Sequence, residues 1–138
     1  CCVPVMKAIG EKTGVAEMAL KDGHSGVATL ASSNPLMEES GSKLAVEMLD
    51  ADGLADLIEP LSAPVVVKVD VEGYEDVVIG QLLGSRFADR IAEVFFEVNA
   101  DWTDVESLKS QLRDAGLTEF TRIGAGPQAD LLAVRSRI

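Results

Sequence analysis

Apolar residues fall into short, glycine-punctuated runs in the first part of the chain and into longer, cleaner blocks after it. Residues 3–9, 16–20 and 27–30 read as short strands separated by Gly10, Gly14, Gly23 and Gly26. A polar stretch from Ala31 to Ser42 reads as a loop. Residues 43–48 alternate, with Leu44, Val46 and Met48 on one face of a further strand. Ala51–Ile58 carries Leu54, Leu57 and Ile58 as the apolar stripe of a short helix that Pro60 stops.

The second half is more strongly patterned. Residues 64–70 are an almost unbroken β-branched run, which predicts a strand buried on both faces of a parallel sheet. Gly73 then opens a helix with Tyr74, Val77, Val78 and Leu82 on its inward stripe and Gly84 near its end. Residues 92–98, with Val94, Phe95 and Phe96, form the next buried strand. Thr103 and Glu106 have capping-box spacing, and the helix they start turns Val105, Leu108 and Leu112 inward and stops at Gly116. Residues 120–123 and 130–134 predict an antiparallel pair around the turn from Gly124 to Pro127. Strand, helix, strand, helix and terminal hairpin is an α/β order, read here as a single domain over 1–138.

The composition narrows the function classes. Twelve basic against twenty-three acidic residues give a net charge of −11, which opposes binding to nucleic acid or an anionic membrane surface. No apolar run approaches the roughly 20 residues that span a bilayer. Cys1 and Cys2 are adjacent and poorly placed to cross-link a fold, and no Cys or His spacing matches a zinc site, so a reducing cytoplasm is the expected compartment. With no initiator Met and a strand-like start, the chain reads as a fragment.

Chemistry is expected where strands end, since open α/β sheets bind ligands beyond the carboxyl ends of their strands. One strand ends in Lys68, Asp70 and Glu72, the other in Glu97, Asn99, Asp101 and Trp102. Carboxylates gathered there can hold a hard cation, or one of them can act as a base if its pKa is raised. Lys68 and Asp70 interrupt an apolar run, where burial is expected to make them matter. His24, the only histidine, lies in a glycine-rich turn and reads as a solvent-exposed turn residue before a general base. Glu38 and Glu39 read as a solvated pair. Trp102 either walls a pocket beside Glu97 or fills a gap between helix and sheet.

The run Lys68-Val69-Asp70-Val71-Glu72-Gly73-Tyr74-Glu75 resembles the fourth-strand signature of the FkbM family of S-adenosylmethionine-dependent methyltransferases. Met48-Leu49-Asp50 resembles the Thr-Leu-Asp that precedes that strand. Phe95-Phe96-Glu97 resembles the fifth strand, and Ala8-Ile9-Gly10 with Gly14 an earlier turn. The resemblance implies a Rossmann-like class I methyltransferase sheet of which this chain is the C-terminal portion, ending in an antiparallel hairpin. It implies methyl transfer from S-adenosylmethionine to a hydroxyl of a small molecule or sugar. Asp70 would position cofactor or acceptor, with Glu72 and Glu97 next and Lys68 pairing with one of the carboxylates.

The chain departs from the family in one respect that bears on the cofactor. The Gly-rich cofactor loop and the acidic residue that takes the ribose hydroxyls have no counterpart here, and Gly124-Ala125-Gly126 sits in a hairpin turn. No cofactor-binding residue is therefore assigned, no metal is assigned, and weak or absent S-adenosylmethionine binding is expected of this chain alone. The alternative is a non-catalytic module that self-associates or binds a partner, and a homo-oligomer is expected from uncovered sheet edges.

Overall fold

The computed structural model describes residues 2–20, 28–30, 42–58, 62–71, 73–101 and 103–136. These form an α/β structure of two mixed four-stranded sheets and three α-helices. The first sheet is built from β1 (Ala8–Ile9), β2 (Gly14–Leu20), β3 (Ala28–Thr29) and β4 (Ser42–Leu49), in the order β1-β4-β2-β3. β4 runs parallel to β1 and antiparallel to β2, in register from Gly14 opposite Met48 to Leu20 opposite Ser42. The strand expected over 3–9 is confined to its last two residues. Val3 and Met6 are 77% and 95% exposed, so among the described residues the earlier stretch has little surface on which to pack.

Asp50 joins this sheet to helix α1 (Ala51–Ile58). Its Oδ1 accepts the Gly53 N–H at 3.1 Å, and its Oδ2 accepts the Thr13 N–H at 3.2 Å. These bonds, the Gly53 one foremost, hold its carboxyl below the usual aspartate value. Helix α1 buries Leu54 and Ala55, whereas Leu57, expected on the inward stripe, is 46% exposed. The helix is only two turns long and seats one narrow strip against its neighbours, leaving Leu57 on the far side.

The second sheet contains β5 (Val65–Val69), β6 (Ile91–Asn99), β7 (Leu117–Ile123) and β8 (Gln128–Arg135), in the order β5-β6-β8-β7. β5 and β6 are parallel, and β8 runs antiparallel to both of its neighbours. The terminal hairpin is therefore present as expected, with its second strand inserted against β6. Helices α2 (Glu75–Gly84) and α3 (Val105–Asp114) supply the crossings that parallel neighbours and this insertion need.

The core lies on one face of this sheet. Val69, Val94, Phe96, Val98, Leu131 and Ala133 pack there with Val78, Ile79 and Leu82 of α2 and Leu108 and Leu112 of α3. A register shift in the β5–β6 pairing lets Ile91 and Val94, three residues apart, both turn inward. The reading of β5 as buried on both faces is corrected. Among the described residues β5 is an edge strand, and Val66 is 66% exposed on the face opposite the helices. A β-branched run marks strand, but it does not reveal how many layers will cover it.

The start of α3 also differs from expectation. Asp104, one residue beyond Thr103, is the N-cap, and its Oδ1 accepts the Ser107 N–H at 3.0 Å. Glu106 instead accepts a hydrogen bond from Lys109. Cys1, His24, Glu38, Glu39, Pro60, Glu72 and Trp102 lie outside the described residues. Among the described residues, no helix is long and apolar enough to cross a membrane.

At the opposite end of the sheet from the polar strand ends, Arg135 gathers three carbonyl groups. Its guanidinium donates to Ile91 O at 2.7 Å, Ala115 O at 2.7 Å and Ala88 O at 3.0 Å. It closes over Gly116, which stops α3 at φ +87° and where an added Cβ would lie 2.6 Å from the guanidinium Nη1. Gly116→Ala is expected to cost about 2–3 kcal/mol, part left-handed strain and part collision. In an Arg135→Met background the collision is gone, and the added cost should fall to about 1–2 kcal/mol of strain. Urea unfolding of the two single variants and the double variant measures this coupling, and strict additivity would count against it.

Candidate functional site

The parallel pairing of β5 with β6 aligns Lys68 with Phe95 and Val69 with Phe96, so both carboxyl ends emerge on the same side. Asp70 directly follows β5, and Glu97 and Asn99 lie among the last three residues of β6. With Gly73, Glu75, Val98 and Gln128 they line a small polar cavity of about 130 Å³. The sheet thus brings Asp70 and Glu97 to one place, as expected from the strand ends. Lys68 stands beside them, its Nζ donating to Asp70 Oδ2 at 2.6 Å. Glu72, the fourth expected residue, lies outside the described residues.

The expected burial of Lys68 and Asp70 is corrected. Their side chains are 64% and 53% exposed, because the face of β5 away from the helices is open. The hydrogen bond and charge of Asp70 hold the Lys68 ammonium above its usual pKa, with smaller contributions from Asp130 and Glu97. Such an exposed pair adds little stability, so Asp70 is free to be tested without unfolding the chain.

On β6, Gln128 Nε2 of the adjoining β8 donates to Glu97 Oε1, orienting that carboxylate across the strand pair. Asn99 serves its own loop: its Oδ1 accepts the Asp101 N–H at 3.0 Å, and its backbone carbonyl accepts the Thr103 N–H at 2.9 Å. Asp101 is exposed and does not line the cavity. Of the carboxylates expected to gather for a cation, Asp70 and Glu97 line the cavity and Glu72 lies outside the described residues. Among the described residues, no group of three or more His, Cys, Asp or Glu is arranged to hold a metal ion.

The residue that pattern reading passed over is Glu75. It is 4% exposed, in the first turn of α2. Its Oε1 accepts the Gly73 N–H at 2.9 Å, and its Oε2 accepts the Thr103 hydroxyl at 3.4 Å. Burial raises its carboxyl above the ordinary glutamate value, partly offset by these bonds. The signal was present in the spacing: Glu75, Val78, Ile79 and Leu82 fall at i, i+3, i+4 and i+7, the stripe that is buried. The expected stripe began one residue early, at Tyr74.

A larger groove of about 720 Å³ runs beside β5. Ala8 and Ile9 of β1 line it from one side, and Val65 to Val69 from the other. Both β1 and β5 are edge strands of their sheets among the described residues. A scan of family models, a search of curated proteins and a search of solved structures each return no significant match.

A glutamate with a raised native pKa favours the folded state in acid, and that contribution is lost as pH rises through the native value. Glu75→Gln keeps an acceptor for Gly73 while removing the buried charge. The variant is expected to unfold at higher urea than the parent at pH 7. Its advantage should shrink as pH falls toward 4.5, the ordinary value for the side chain. Paired denaturation midpoints across that range test the sign.

Proposed function

We propose that this chain is the acceptor-side portion of a Rossmann-like methyltransferase of the FkbM type, transferring a methyl group from S-adenosylmethionine to a hydroxyl oxygen. The observation that carries the reading is the position of the Lys68-to-Glu75 motif. It leaves the carboxyl end of a parallel strand and enters a helix, beside a second parallel strand that presents Glu97. Ligands of open α/β sheets bind at such ends.

In this reading the acceptor hydroxyl lies against the carboxylates at the strand ends. Methyl transfer needs the acceptor oxygen in line with the methyl carbon and a group to take its proton. Asp70, accessible and beside Lys68, is assigned to positioning the acceptor or receiving that proton. Glu97, oriented by Gln128, is assigned to binding a neighbouring hydroxyl. S-adenosylmethionine supplies the electrophilic methyl group when bound.

The test uses the complete reading frame that contains this chain, assayed for transfer of labelled methyl groups to a panel of hydroxyl acceptors. Asp70→Asn is expected to lower the rate by about 10²–10⁴-fold with an unchanged melt. Glu119→Gln, on β7 away from the cavity, should change the rate by less than about twofold. Absence of transfer in the parent, or full activity in Asp70→Asn, would overturn the assignment.

A second reading, a non-catalytic module that associates with itself, is favoured by one feature. β5 is an uncovered edge among the described residues, its Val66 is largely exposed, and an apolar groove adjoins it. Sedimentation of the 138-residue chain at micromolar concentration is expected to find dimers or larger species. A monomer that melts cooperatively would remove this reading.

A further inference from the structure

Glu75 is the only charged residue that is buried among the described residues. A leucine at this position would extend the Val78, Ile79 and Leu82 face and pack without a desolvation cost. What a carboxyl contributes instead is direction, through two acceptor oxygens that point to different partners. One partner, Gly73, lies in the loop after β5 and has φ +91°. The other, Thr103, lies in the loop after β6, 28 residues away in sequence.

A backbone hydrogen bond spans each of these loops. Tyr74 N–H donates to Val71 O at 3.3 Å, and Thr103 N–H donates to Asn99 O at 2.9 Å. Loops spanned in this way can still shift against each other, and Glu75 is bonded to both. Asp70 sits just before the first loop, and Glu97 just before the second. We propose that Glu75 is a positioning residue: its carboxyl clamps the loop after β5 to the loop after β6 and so sets where Asp70 stands relative to Glu97. Among the described residues, the charged groups near it are Asp76 on α2 and, lining the small cavity with it, Asp70 after β5 and Glu97 on β6, with Lys68 paired to Asp70. A carboxyl that changes charge in this setting also alters the strength of its own clamp, because an ionised acceptor makes the stronger hydrogen bond.

This inference rests on the methyltransferase reading only in taking this end of the sheet as the working end. The experiment is amide exchange and carboxyl titration by nuclear magnetic resonance on the 138-residue chain. The Gly73 amide proton should shift with pH at the same midpoint as the Glu75 carboxyl, which a merely packed glutamate would not impose. Glu75→Gln should keep Gly73 protection within about twofold, since the amide oxygen accepts the same bond. Glu75→Ala should speed Gly73 exchange about tenfold, the loss of one hydrogen bond. It should also move the Gln128 side-chain amide resonances that report on Glu97, while Phe96 in the core keeps its protection. Should Glu75→Ala fail to fold, Thr103→Val removes the second partner alone and should speed exchange in the loop after β6 with Gly73 still protected. A Gly73 amide that does not titrate with Glu75, or unchanged loop exchange in Thr103→Val, would overturn the clamp. Methyl-transfer assays are independent of these readouts, so the clamp and the reaction can fail separately.

Discussion

The parallel pairing of β5 and β6 is the constraint on which the site depends. Antiparallel neighbours would have sent Asp70 and Glu97 to opposite ends of the sheet. Parallel ones bring both to the same end, at the cost of a helical crossover. That crossover is α2, and its first turn must begin where β5 ends. Glu75 is therefore delivered into the space between the two strand ends by the same connection that makes the pairing possible.

One-sided coverage of the sheet decides the character of the residues at that end. The helices bury Val69, Phe96 and Val98, while Lys68 and Asp70 face an open side and remain hydrated. An accessible acid beside an ammonium can exchange protons with a bound ligand at little cost to the fold. The buried acid has the opposite profile: Glu75 gives up hydration and is held by a backbone amide and a hydroxyl. Two carboxyls only five positions apart thus have different environments and are assigned different tasks.

The far end of the sheet is organised around a cation instead. Arg135 collects carbonyls from the end of α3, the short helical turn before β6 and β6 itself, and it can lie close only because Gly116 has no side chain. The last strand is in this way tied to the elements that precede it. Its insertion against β6 also places Gln128 opposite Asn99 and within reach of Glu97, so the hairpin contributes to the site from its other end.

The sequence by itself determined the element order, the parallel pair, the terminal hairpin and the polar strand ends. Each of these follows from local periodicity, from turn residues or from the charged residues that close a strand. It also carried the position of Gly116 as a helix stop, which a left-handed backbone at that residue explains. Tertiary structure decided the rest. Whether Val66 and Lys68 would be covered depended on layers that no local pattern encodes. Thr103 had the spacing of a cap but was drawn to Glu75, leaving Asp104 to cap α3. Glu75 lies at inward spacing with Val78, Ile79 and Leu82, but its partner Thr103 stands 28 residues further along the chain, a pairing that only the tertiary structure makes.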